Sequence, residues 1–160
     1  MTTPESTAGL DPVARRRLAV DLYNHVWTLL EMVDRTSDQD DEMIHTAHAS
    51  RYHWGEVGSI EHRARGEWQC SRVYSVLGRP EPATYHARRC LELCQANELG
   101  DWDLAAAWES VARASLVGGD HAALDHALAE GRAALQAIVD DEDREHIETD
   151  LDEITAARDA

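Results

Sequence analysis

The chain has 160 residues, with 31 acidic side chains against 15 basic ones and a formal charge of -16. That length suits a single domain that buries a core without disulfide or metal staples. The charge repels phosphate backbones and anionic lipid, so nucleic acid and membrane are set aside as partners and a protein or peptide with a basic surface is the expected one.

Met1–Leu10 is rich in Thr, Pro, Ser and Gly, reads as a flexible tail and lacks the pattern of a secretory signal. No apolar run is long enough to cross a bilayer, which makes the cytoplasm the expected compartment. Residues 11–160 read as one domain. Asp11 and Pro12 read as the N-cap and first residue of a helix to about Arg35. It carries one apolar stripe of Leu22, Val26, Leu29 and Val33 and a second of Ala19, Tyr23, Trp27 and Leu30, which places it inside a stack. Thr36–Asp41 is a polar turn in which Ser37 or Asp38 caps a second helix to about Val57. Gly58-Ser59 restarts the chain, and Ser59 with His62 and Arg63 opens a third helix to about Leu77. Gly66 inside that helix costs up to about 1 kcal/mol relative to Ala and marks close backbone packing.

Gly78-Arg79-Pro80 ends the third helix and starts a fourth to about Glu98, with Ala83, Ala87, Cys90, Leu91 and Cys94 inward. Leu99-Gly100-Asp101 leads into a fifth helix to Val117 that carries Leu104, Trp108, Val111 and Ser115. Gly118-Gly119-Asp120 turns the chain into a sixth, where Ala123, Ala127, Leu128 and Leu135 continue the pattern. The last, from about Asp141 to Ala157, has one narrow stripe of Ile147, Leu151 and Ile154 on an otherwise charged surface, as a capping helix with a wet outer face would. The expected fold is all-α, with about seven antiparallel helices.

The stretch from Glu67 to Leu135 repeats itself. A shift of about 40 residues lays Trp68 on Trp108, Ser75 on Ser115, Gly78 on Gly118, Ala83 on Ala123, His86 on His126 and Ala87 on Ala127, a period typical of helical repeats. Trp27 and His45 repeat the same Trp-to-His separation upstream. Trp108, Ala112, Gly119, Asp120, Ala123 and Ala127 resemble one unit of the tetratricopeptide repeat superfamily, and Tyr74, Gly78, Ala83 and Ala87 resemble another. The resemblance spans residues 60–138. It implies stacked helix pairs with a C-terminal cap and a groove lined by the first helix of each pair. That groove would bind a protein or peptide, with Gln69, Arg72, Glu109 and Arg113 as its exposed candidate contacts. A homodimer covering Gln69, Glu109 and Arg113 is the competing arrangement.

Two residue sets have the composition of a metal site. His86, Cys90 and Cys94 share one helix face at spacings of four, where Zn²⁺ or Cu⁺ would find an imidazole and two thiolates. Cys is also among the most buried residue types, and positions 90 and 94 coincide with the core stripe. His45 and His48, near His53 and His62, resemble in composition the histidine-bearing bundles of the DinB-like superfamily, without the Glu of the helical zinc-protease motif. The odd count of three cysteines, without zinc-ribbon spacing, fits reduced thiols. No phosphate loop, nucleophile elbow or catalytic triad is legible. The expectation is a protein- or peptide-binding scaffold without catalytic residues or cofactor, with a metal-binding, enzymatic helical bundle as the alternative.

Overall fold

The computed structural model describes residues 9–160, so Met1–Ala8 of the expected tail lie outside the described residues; Gly9 and Leu10 are exposed coil. Seven α-helices follow: α1 (Pro12–Leu30), α2 (Ser37–Val57), α3 (Ile60–Val76), α4 (Pro80–Ala96), α5 (Asp101–Gly118), α6 (His121–Ala134) and α7 (Asp141–Asp159), with a single 3₁₀ turn at Leu135–Ala137. There is no strand among the described residues. Each helix packs on the next, and the backbones of α1, α3, α5 and α7 also approach in series, whereas those of α2, α4 and α6 do not approach one another. The odd-numbered helices therefore form one continuous layer, and the even-numbered helices stand apart on its other side.

Local chemistry sets most helix ends. Asp11 accepts from the Val13 and Ala14 amides to start α1, and Ser59 donates its amide to His62 Nδ1 at 3.1 Å at the start of α3. Two ends differ from expectation. Thr36, not Ser37 or Asp38, caps α2, because Gln39 three residues on completes a reciprocal capping box. α1 stops at Leu30 rather than Arg35, because Arg35 folds back and donates Nη1 to the Leu29 and Met32 carbonyls at 3.2 and 2.8 Å. Those carbonyls are ones a longer helix would have paired internally. Val33 consequently leaves its expected stripe and is 93% exposed.

The main core joins Trp68, Cys90, Cys94, Leu124, Leu128 and the small face of α5 (Ala105, Ala106, Ala107, Ala112) to Ile147, Leu151 and Ile154 of α7. The α7 stripe is buried as its spacing requires. A second cluster, Val26, Leu29, Met43, Ala47, Cys70 and Val73, joins α1, α2 and α3. Gly66 fulfils its expected role: a Cβ there would lie 2.6 Å from Arg51 Cδ, so the glycine lets Arg51 of α2 cross the surface of α3.

The backbone is compatible with a helical repeat, in a register that differs from the sequence match. The glycines with left-handed backbone are Gly78 (φ 67°) and Gly119 (φ 71°), not Gly78 and Gly118. In both turns the following amide bonds back across the helix end, Arg79 to Tyr74 O at 2.9 Å and Asp120 to Ser115 O at 3.0 Å. This is an interval of 41 residues, the one that separates Trp68 from Glu109. It pairs Ala83, Ala87, Cys90 and Cys94 with Leu124, Leu128, Gly131 and Leu135, and all eight are buried. A slip of one residue rotates a helical position by about 100°. Trp68 and Trp108 are therefore not equivalent: Trp68 is buried between the rings of Trp27 and Trp102, whereas Trp108 is half-buried and meets His126 edge-on.

Candidate functional site

The odd-helix layer carries a ladder at this interval. Trp27 of α1 stacks obliquely on Trp68 of α3, their ring centroids 5.5 Å apart. Trp68 Nε1 donates to Glu109 Oε2 of α5 at 2.9 Å. Asp150 of α7 follows, joined to Glu109 through two arginines. Arg113 donates Nε to Glu109 Oε1 at 2.6 Å, Arg72 donates Nη1 to the same oxygen at 3.3 Å, and both guanidinium groups lie beside Asp150 at 3.4 and 3.6 Å. Glu109 is 0% exposed. Three donors satisfy its carboxylate, which is what keeps a buried charge tolerable.

These geometries correct the expected exposure of the groove candidates. Gln69 is 1% exposed and donates Nε2 to the Tyr23 carbonyl at 3.0 Å, and Glu109 is fully enclosed. Only Arg72 and Arg113 keep part of their side chains, 19% and 17%, at the surface. The resemblance implied that all four are exposed in one groove, but Gln69 turns to α1 while Arg72 and Arg113 converge on Glu109.

Two cavities open on this layer. The first is an aromatic cleft of about 380 Å³ between the N-terminal ends of α3, α5 and α7, lined by Val20, Tyr23, Trp54, His62, Arg65, Trp102 and Asp143. Trp54 and His62 stack with centroids 4.1 Å apart, and Arg65 lies over the Trp102 ring. Arg65 is held by Asp103 through two hydrogen bonds, 2.8 and 3.1 Å. Burial pushes the Tyr23 hydroxyl up to about 12, so it stays protonated. Burial, helped by the Arg16 charge, lowers His62 below 6.5, so its ring is neutral at neutral pH. The second cavity is a groove of about 460 Å³ along α7, lined by Glu142, Glu145, His146, Thr149, Asp150 and Glu153 with Arg72 opposite. The sequence marked Tyr23 as part of an apolar stripe and His62 as part of a helix start and a metal set, but did not join the cleft residues, because the rings come from four separate helices.

The metal candidates do not converge. His86 faces Glu67, with Nδ1 donating to Oε2 at 2.6 Å, and Arg51 binds the other carboxylate oxygen at 2.8 Å. Its ring lies parallel to Tyr74, whose hydroxyl meets His48 Nε2 at 2.9 Å. Cys90 and Cys94 point away from this cluster into the core. A hydrogen bond with Cys94, together with burial, holds the Cys90 thiol well above its ordinary value, the reverse of a metal-bound thiolate. His45 is exposed. Among the described residues no group of three or more His, Cys, Asp or Glu side chains is placed to hold a metal ion. No helix among them is long and apolar enough to cross a membrane.

Comparisons with protein-family models, with curated proteins and with solved structures return no match.

Proposed function

We propose that the chain is a cytoplasmic protein- or peptide-binding scaffold of the tetratricopeptide type that uses the face of α1, α3, α5 and α7. The observation that carries this reading is that the aromatic cleft and the acidic groove open on one layer, above the hydrogen-bonded ladder of Trp68, Glu109, Arg72 and Arg113. A surface held from beneath by buried hydrogen bonds loses little freedom when a partner docks, which favours binding. Arg72 and Arg113 are the contacts this reading keeps at the surface, while Glu109 positions them from below.

The reading is tested by retention of partners from a lysate of the source cell on immobilised protein. Wild type is compared with a variant carrying Trp102→Ala and Arg72→Glu whose helical content is unchanged by circular dichroism. A discrete partner held by wild type and lost by the variant is the expected result. Identical retained sets would remove the odd-helix face from consideration.

A further inference from the structure

The two cavities differ in the chemistry they present, and their spacing is set by the helices that line both. The lining of the aromatic cleft is mostly uncharged. Arg65 is paired with Asp103, His62 and Tyr23 are uncharged at neutral pH, and Asp143 is the one carboxylate in the wall among the described residues. What remains is ring surface, and a planar apolar group gains most from stacking there.

The groove is the opposite. Glu142, Glu145 and Glu153 line it, and none has a basic partner among the described residues. Asp150 at its base has a side chain 90% removed from solvent and already lies beside Arg113 at 3.4 Å, Arg72 at 3.6 Å and His146 at 3.8 Å. The three glutamates are exposed and, among the described residues, without a cation, so the charge that complements them arrives from outside. The groove suits a guanidinium or ammonium group and repels an anion.

α3 supplies Arg65 to the cleft and Arg72 to the groove, and α7 supplies Asp143 to the cleft and His146 and Asp150 to the groove. Seven helical residues span about 10 Å at 1.5 Å each. An extended chain covers that distance in about three residues at 3.3 Å each. Resting on the scaffold reading above, we infer that this face recognises an extended peptide that places an aromatic side chain in the cleft and, three to four residues along, an arginine or lysine in the groove. The net charge of -16 draws such a basic segment in.

A random dodecapeptide library displayed on phage, panned against the folded wild-type protein, tests this. Enriched peptides are expected to combine Phe, Tyr or Trp with Arg or Lys at that spacing. A synthetic copy of the leading peptide should bind at least about tenfold more weakly to protein carrying Glu145→Gln and Glu153→Gln, both exposed positions, at about 0.15 M salt where surface charges are still felt. It should also weaken on Val20→Glu, a partly exposed change in the cleft wall that spares the Trp68–Trp102 contact. Peptides that bind this face, judged by loss on Arg72→Glu, yet lack the pattern and ignore the glutamate changes would overturn the inference and leave the scaffold reading standing. No enrichment at all, or peptides indifferent to every one of these variants, would overturn both. Self-association by light scattering that is abolished by Val20→Glu would overturn the peptide inference in favour of a second copy.

Discussion

The two interlayer spaces on the even-helix side begin from the same backbone and end differently. Above α3, between α2 and α4, the Tyr74 ring lies against His86 and its hydroxyl meets His48, so the space is filled by side chains. Above α5, between α4 and α6, the equivalent position is Ser115, and the space stays open as a groove of about 530 Å³ floored by Val111, Ala114, Ser115 and Gly118. The turns that follow Tyr74 and Ser115 have the same hydrogen bonds and the same left-handed glycine. Backbone topology therefore sets the spacing between layers, while side chains, Tyr74, His86 and His48 against Ser115, Ala127 and Arg89, decide whether a joint is closed. On the odd-helix side both joints carry indole pairs, Trp27 on Trp68 and Trp68 on Trp102, but only the α3–α5 joint adds an indole N–H on a buried carboxylate.

That contrast can be broken at Glu109. Glu109→Ala leaves the Trp68 N–H and two guanidinium groups without their acceptor, and urea unfolding should show a loss of about 3–5 kcal/mol. A loss below about 1 kcal/mol would mean that ring packing, as between Trp68 and Trp102, holds the α3–α5 joint without the buried carboxylate.

Exchanging the two fillings comes next in size. Tyr74→Ser gives the first space the chemistry of the second, removes the ring from His86 and leaves His48 unpaired, at a cost of about 2 kcal/mol. Ser115→Tyr places a ring where there is room for one, and its stability should stay within about 1 kcal/mol of wild type. A large loss for Ser115→Tyr in thermal melts would show that the two positions are not equivalent.

The register itself can be sharpened with the adjacent glycines. Gly119→Ala forces a Cβ into left-handed backbone and should lower stability by about 1–2 kcal/mol. Gly118→Ala lies in the helix, where its new Cβ would sit 3.4 Å from Pro80 Cβ, and should raise stability by up to about 1 kcal/mol. If the two substitutions shifted the melting temperature alike, the 41-residue register would be wrong.

The smallest effect is one of pH and belongs to the filled space. Burial, then the neighbouring His86, lowers the His48 pKa below 6.5. As pH falls through 6.5 the unfolded chain gains a proton that the folded one refuses, so stability should decline below that point. In Glu67, burial raises the pKa but is outweighed by the His86 hydrogen bond and the Arg51 charge, which leave it below 4.5. Its contribution is complete above 4.5 and is lost as pH falls further. Urea midpoints followed across pH should slope downward on the acid side of 6.5 in wild type and less so in His48→Gln; identical slopes would separate His48 from the effect.

Helix content, the cap at Asp11, the Ser59 and His62 start, the Gly78-Arg79-Pro80 corner and the buried stripe of Ile147, Leu151 and Ile154 were legible in the chain. Each depends on residues within a turn or two of one another, which periodicity and capping report directly. The candidate site was only partly legible. Arg72 and Arg113 keep part of their side chains at the surface as expected, but Gln69 and Glu109 are enclosed, and Tyr23, Trp54, His62, Arg65 and Asp143 were not connected at all. The matching tryptophans also led the repeat register astray by one residue.

The amino-acid order by itself determined an acidic, all-helical stack with its corners in place, because helix formation and termination are local events. Tertiary structure alone decided which charges are enclosed and which rings share a cleft. Trp68 and Glu109 are 41 residues apart and Arg65 and Asp103 are 38, and over such separations a side chain's partner follows from how helices rotate against each other.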